Sequence, residues 1–346
     1  MRVNRLIAGL CRENGLDRVR DMTLTDVQFD DMLRLARLAP SIHNTQPARW
    51  RRVGGTVEVA ADTSIQLPQA DPTGAGLALS VGAAVEATVL ALSQIGLGAD
   101  VVDVWADQAA QTWTDHRIAV QMTLRPAPKD PLVDQLAQRG TWRGRFGGGQ
   151  SDLYGWTRAD TRLITDAPTK AWIAQLNDSA SLDILRSKAF RQELVSWMRL
   201  KDSHPRAGFD GMDLKALRMD ARAAKTVKLG FGPLWSVMDA LGRAKAMISE
   251  ADVTKATPVI AVFHRPTGES PIETGRAYLR MWLEATQLGL AGWPMAALTD
   301  TDTTRAQLQS RLGIGADRQL IQVLRFGEPT AELPRKARRP LPELTQ

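Results

Sequence analysis

Gly82-Ala83-Ala84-Val85-Glu86-Ala87-Thr88-Val89-Leu90-Ala91-Leu92-Ser93-Gln94-Ile95-Gly96-Leu97 lines up with a second stretch of the same chain, Gly275 through Leu290 (GRAYLRMWLEATQLGL). The two share Gly-x-Ala-x5-Leu, then Gln, an aliphatic residue, Gly and Leu at equal offsets. Both read as long helices closed by a glycine, Gly96 or Gly289, in the left-handed conformation that ends a helix. Each is expected to carry a proline in its first turn. Asp71-Pro72 would cap the first helix, and Ser270-Pro271-Ile272-Glu273 reads as a capping box for the second.

Beyond each helix comes a β-rich run ending in Leu-Arg and then Pro: Val120–Pro126 (VQMTLRP) and Ile321–Pro329 (IQVLRFGEP). Strand-like runs also fall at Thr56–Ala60 and Pro258–Phe263, and an amphipathic helix is expected over Phe29–Leu38. The pattern predicts an α+β fold, helices covering a sheet, present twice. A chain of 346 residues has room for two such units. The expected division is a first half over 1–128 and a second over 129–346, resembling a dimer joined into one chain. The second half carries extra material at about 201–255, basic and helix-forming, broken by Gly208, Gly211, Gly230 and Gly232-Pro233. An insertion of that length and mobile-looking composition is expected to be a lid or binding loop, with a solvated helical decoration as the alternative.

Composition excludes several classes of function. At 44% hydrophobic and 24% charged the chain is neither disordered nor collagen-like. The single cysteine, Cys11, rules out an internal disulfide framework and any Cys-based zinc or iron–sulfur site. His43, His116, His204 and His264 provide no metal-binding spacing, so no metal is expected. The start, MRVNRLIAGLCREN, carries Arg5, Arg12 and Glu13 where a signal-peptide core would be, so a cytoplasmic location is expected. Ala75–Ala99 is apolar enough to span a membrane, yet Glu86, Ser80, Thr88, Ser93 and Gln94 interrupt it; it reads as a buried helix, with no membrane partner. The net charge of +6 and a pI near 9.7 favour an anionic partner. No recognition helix, zinc finger or RNA-binding sheet motif appears, so nucleic acid is not expected.

Four segments carry candidate chemistry. Ala39-Pro40-Ser41-Ile42-His43-Asn44-Thr45-Gln46-Pro47 brackets hydroxyl, imidazole and amide groups between two prolines, a stiff loop able to hydrogen-bond a heterocycle. Arg139-Gly140-Thr141-Trp142-Arg143, if extended, puts two guanidinium groups and a hydroxyl on one face, which suits a phosphate. Lys336-Ala337-Arg338-Arg339 gains meaning if the tail folds back onto those arginines. Gly292-Trp293-Pro294-Met295-Ala296-Ala297 follows the second repeated helix and leaves backbone N–H groups free to meet a ligand. The first repeat reads Gly98-Ala99-Asp100 at the matching place, as one surviving site would produce. Gly147-Gly148-Gly149 is no phosphate loop, since no Gly-Lys-Ser/Thr follows, and neither a dinucleotide glycine fingerprint nor a Gly-x-Ser-x-Gly elbow is present.

Together these segments resemble the nitroreductase family of FMN-dependent oxidoreductases, in particular a subgroup holding two nitroreductase-like halves and a lid in one chain. The resemblance covers nearly the whole chain. It implies FMN bound between the halves, with Ser41, His43, Asn44 and Gln46 from one half. From the other it implies Arg139, Thr141, Arg143, Lys336 and Arg338 around the ribityl and phosphate, and Pro294, Met295, Ala296 and Ala297 at flavin N5. Catalysis would then be the cofactor's: hydride from NAD(P)H to an electron-poor acceptor such as a nitroarene, quinone or activated alkene, with His43 a possible proton donor. The alternative it leaves is an FMN storage protein whose lid excludes turnover. The sequence departs from the family pattern at Ala48, where an aromatic is usual, at Thr141 for serine, and at Ala296-Ala297 for a glycine or acid. Small-molecule substrate and NAD(P)H are the expected partners, for a monomer that is itself a pseudo-dimer, or a homodimer.

Overall fold

The computed structural model describes residues 22–148 and 155–345. Cys11, the basic start of the chain and Gly149 of the glycine run lie outside the described residues.

The first half begins with helix α1 (Asp26–Ala36), where Thr25 and Gln28 close a reciprocal capping box. It presents Phe29, Met32, Leu33 and Ala36 to the core. After the Ser41–Pro47 loop come β1 (Ala48–Val53) and β2 (Thr56–Asp62), then helix α2 (Ala75–Ser93), β3 (Leu97–Asp103) and β4 (His116–Pro126). The strands form one antiparallel sheet in the order β1-β2-β4-β3.

The second half adds β5 (Phe146–Gly147), β6 (Thr161–Ile164), α3 (Ala167–Leu185), α4 (Lys188–Ser196), β7 (Met198–Arg199) and β8 (Met212–Asp213). Then follow α5 (Ala221–Phe231), β9 (Val259–Pro266), α6 (Pro271–Gln287), β10 (Ala291–Pro294), α7 (Asp302–Leu312) and β11 (Arg318–Pro329). Its main sheet is again antiparallel, in the order β6-β9-β11-β10. Each sheet therefore has its second and third strands, in chain order, joined by a long helix: α2 in one, α6 in the other.

Those two helices cross at the glycines that open the repeated stretch. A Cβ on Gly82 would lie 2.3 Å from the Ile272 carbonyl oxygen and 2.9 Å from Gly275 Cα. One on Gly275 would lie 2.4 Å from the Leu79 oxygen and 2.8 Å from Gly82 Cα. Any side chain at either place would push backbone against backbone. The one charge inside α2, Glu86, is 2% exposed and is held by Arg276 (2.9 Å) and Arg280 (2.7 Å) of α6. α2 is long and apolar enough to cross a bilayer, but here it lies buried among α1, α6 and the first sheet.

Several expectations need correction. Gly96 (φ +76°) and Gly289 (φ +80°) are left-handed as expected, but only α6 has proline in its first turn. α2 starts at Ala75, and Asp71 reaches it by accepting from Gly76 N (3.0 Å) and Leu77 N (2.7 Å). Ser270 caps Ile272 N, yet Glu273 pairs with Arg276 instead of completing a box. The insertion is helical: short helices at Leu214–Leu217, Trp235–Ala240, Arg243–Ile248 and Ala251–Ala256 join α5 and pack on α3 and α4 around Trp235 and Leu185. The C-terminal tail returns to the first half, where Trp50 N donates to Leu344 O (2.9 Å).

Candidate functional site

Between α1 and β1 the chain makes a short turn over Ile42–Asn44 with unusual backbone. His43 (φ 47°), Asn44 (φ 56°) and Gln46 (φ 53°) are all left-handed without being glycine, a conformation that is costly for such residues. Ser41 Oγ supports the turn by accepting from Gln46 N (2.9 Å). The remaining support comes from far along the chain. Asn44 Nδ2 donates to Gly211 O (3.0 Å) and Ala337 O (3.2 Å), and its Oδ1 accepts from Arg338 Nη1 (2.9 Å). Gln46 Nε2 donates to Phe209 O (2.9 Å) and Oε1 accepts from Arg339 N (2.9 Å). In this structure these amides hold the insertion and the tail.

The tail does fold back. Arg338 Nη2 and Arg139 Nη2 both donate to the Leu38 carbonyl oxygen, at 3.0 and 2.9 Å. Lys336 Nζ donates to the carbonyl oxygens of Leu136 and Ala137. No carboxylate pairs with Arg139, Lys336 or Arg338 among the described residues. Burial lowers all three: Arg139 to about 10, Arg338 to about 9 and Lys336 to about 6, and the cations' mutual repulsion pushes Arg338 and Lys336 further down. The Nε atoms of Arg37, Arg139 and Arg338 are buried without an acceptor among the described residues. Two guanidinium groups and an amine, Arg139 buried and Arg338 and Lys336 half-buried, meet only protein oxygen atoms and make a cradle for an anion with several acceptor oxygens, such as a phosphate.

Arg143 goes elsewhere. Its guanidinium donates to Ala216 O (2.9 Å) and contacts Met212 Sδ (3.7 Å), both in the insertion. Burial lowers it to about 10, with Glu250 and Arg325 as its charged neighbours. Arg139 and Arg143 therefore reach different partners in this structure. Thr141 between them bridges Gly292 through the backbone, which lays the arginine segment against β10. His43 has a buried Nε2 without a partner, and burial, then the charge on Arg143, lower its pKa to about 4. The ring is neutral at physiological pH.

β10 delivers the fourth segment. Pro294 ends the strand, Met295 is buried and donates its N–H to Val323 O (2.8 Å), and a single turn follows over Ala296–Leu298. The N–H groups of Ala296 and Ala297 find no protein acceptor among the described residues. Asp300, whose N–H donates to Ala296 O, feels the charge of Asp71 at the head of α2, which places this turn beside the first half.

Sequence reasoning missed Arg37 and the Leu38 carbonyl group, which belong to the α1 terminus, and the clasp of Asp210. That carboxylate is 3% exposed and meets Arg199 (2.6 Å), Arg206 (2.9 Å) and Arg339 (3.0 Å), tying insertion to tail. Arg206 also grips Glu343 (2.8 Å). Arg199, Arg206 and Asp210 lie more than 125 residues from Arg339 and Glu343, a separation that no local sequence pattern encodes.

Comparison with known proteins finds no matching family model. Two curated proteins of Mycobacterium tuberculosis, strains CDC 1551 / Oshkosh and ATCC 25618 / H37Rv, each described as "Putative NAD(P)H nitroreductase", are 46% identical to this chain over 70 residues. That stretch is 20% of this chain and 20% of each relative, so the match spans about a fifth of their length. Among solved structures, the FMN-dependent nitroreductase NfnB of Mycobacterium smegmatis in complex with NADPH is similar at 18% identity and TM-score 0.35, over 61% of this chain and 95% of that one. A BluB-like flavoprotein of Clostridium difficile 630 is similar at 13% identity and TM-score 0.35, over 62% and 97%. At such TM-scores the likeness carries no argument about what this chain binds.

Proposed function

We propose that this chain, whose curated relatives are described as nitroreductases, is an FMN-dependent oxidoreductase that takes hydride from NAD(P)H and passes it to an electron-poor acceptor such as a nitroarene, quinone or activated alkene. The observation that carries the reading is the cradle of Arg139, Lys336 and Arg338, which no carboxylate pairs among the described residues and whose two arginine Nε atoms lack an acceptor there. These residues fit a dianionic phosphate, the charged end of FMN. When bound, FMN would supply the hydride-accepting ring, a chemistry no side chain here provides.

This chain's own residues would do the rest. Arg139, Lys336 and Arg338 would hold the phosphate by charge-assisted hydrogen bonds. Ala296 and Ala297 offer two N–H donors from a turn that faces the first half, suited to stabilising negative charge on a reduced ring. His43, neutral and with a free Nε2, can share a hydrogen bond without adding charge. Asn44, Gln46 and Arg143 keep the insertion closed over the site. We read the two sheets of like order as two halves of common origin that share this single site, so the chain would work as a monomer or as a homodimer of fused units.

A second reading, storage of FMN under a shut lid, is favoured by one feature: the insertion is fastened at Asn44, Gln46, Arg143 and Asp210 together. Absorbance of the purified protein decides. Flavin bands that bleach rapidly on anaerobic addition of NADPH support the oxidoreductase. A yellow protein that does not bleach supports storage, and a protein that stays colourless after added FMN refutes both.

A further inference from the structure

The insertion between β8 and β9 has an outer surface that neither the fold nor the site uses. Its inner side is complete. Trp235 is 3% exposed, edge-on to Phe231 at 6.0 Å and covered by Arg191 at 4.5 Å, and it packs with Leu185 and Ala244. The outer side is nevertheless apolar. Leu229, Leu234, Val237 and Leu241 are 42%, 46%, 58% and 64% exposed. Leu234, Val237 and Leu241 follow at steps of three and four residues. Met238 N donates to Leu234 O (3.0 Å) and Leu241 N to Val237 O (3.1 Å), so the three share one helical face. Leu234 N donates to Leu229 O (3.1 Å), which brings the backbone of the fourth residue next to the start of this ridge.

Cations flank this ridge in sequence. Arg222, Lys225, Lys228, Arg243 and Lys245 are all exposed, and none forms an ion pair among the described residues. The one carboxylate between Ala221 and Ile248 is Asp239, which is engaged by Arg186 (3.2 Å). Exposed aliphatic side chains set among unpaired lysine and arginine match the interface of a charged bilayer, where the apolar groups enter the headgroup region and the cations meet lipid phosphates. A second copy of this surface would set five cations against five, and nucleic acid would gain nothing from the leucines.

We infer that the outer face of this insertion docks on a membrane surface rich in anionic lipid. This departs from the expectation of no membrane partner, which weighed only a helix able to span. It is independent of what the candidate site binds. The test is flotation of the full chain with phosphatidylcholine vesicles and with vesicles that also contain phosphatidylglycerol. The expected result is binding to the anionic vesicles alone, weakened by salt. Val237→Asp with Leu241→Asp should lower binding at least tenfold with an unchanged melting temperature, since both side chains already face solvent. Lys225→Ala and Lys228→Ala should each cost about fivefold. Equal flotation of wild type and the double aspartate variant would overturn the inference. So would a concentration-dependent dimer, or retention on DNA, that this variant abolishes or keeps without any vesicle binding.

Discussion

Replacing Lys336 by methionine tests the anion cradle before any flavin is added. Among the described residues the ammonium has only the carbonyl oxygens of Leu136 and Ala137 as acceptors, and Arg139 and Arg338 as charged neighbours. Burial first, then those two cations, push its pKa from 10.5 to about 6. Folding therefore strips a proton from this lysine across that window. The unfolded chain binds more protons there, so stability rises with pH from about 6 to about 10.5, and the deficit is complete below 6. At ~1.4 kcal/mol per tenfold change in proton affinity, the ceiling is ~6 kcal/mol; relaxation and water around a partly exposed ammonium bring the working figure to about 2 kcal/mol. Lys336→Met should thus stabilise the flavin-free protein by about 2 kcal/mol at pH 7 and flatten the rise of stability with pH. The same variant should bind FMN at least tenfold more weakly, and FMN binding to the wild type should take up a proton near pH 7. Urea melts between pH 6.5 and 9.5, with and without FMN, measure all of this. A variant that is less stable without flavin, or a wild type whose stability ignores pH, would refute the reasoning.

Other expectations follow from particular contacts. Gly275→Ala gains ~1 kcal/mol of helix propensity but drives a Cβ to 2.4 Å from the Leu79 oxygen, so a net loss of about 2–3 kcal/mol is expected in thermal melts. Asn44→Ala removes one of the acceptors of Arg338 and two hydrogen bonds donated to the insertion and tail; hydrogen exchange at Gly208–Met212 should quicken and FMN should dissociate roughly tenfold faster. His43 stays neutral above about pH 4, so the rate of flavin reduction should show no histidine inflection between pH 5.5 and 8; an inflection near 6.5 that His43→Gln abolishes would contradict the burial argument.

The repeated helix was legible because its two features, an opening glycine and a closing glycine, answer local demands: backbone must touch backbone at Gly82 and Gly275, and φ must turn positive at Gly96 and Gly289. The long strands were legible through runs such as Val120–Pro126 and Ile321–Pro329, observed within β4 and β11. What pairs with what was not. The start of α2 was misplaced because Asp71 caps from outside the helix, where proline cannot be in the first turn. Arg139 and Arg143 alternate in sequence, but the side chains part company, since one is drawn to the α1 terminus and the other to Ala216. The amides of Asn44 and Gln46 found acceptors some 165 and 290 residues away, separations no local pattern encodes.

That long reach explains how the strained turn can exist. Three left-handed non-glycine residues within four positions cost several kcal/mol unless the surroundings fix them. Here the fixing groups are Phe209 and Gly211 of the insertion and Ala337, Arg338 and Arg339 of the tail. The turn, insertion and tail therefore order together or not at all. The tail also carries Lys336 and Arg338 into a half-buried place beside Arg139, where desolvation and the neighbouring cations make it costly for them to hold their charge. A dianion bound among the three would reverse the sign of this contribution, because each cation would gain a partner it lacks. Closure of the insertion and capture of a phosphate are then two sides of one equilibrium, linked through Asn44, which touches insertion and tail cation with the same amide.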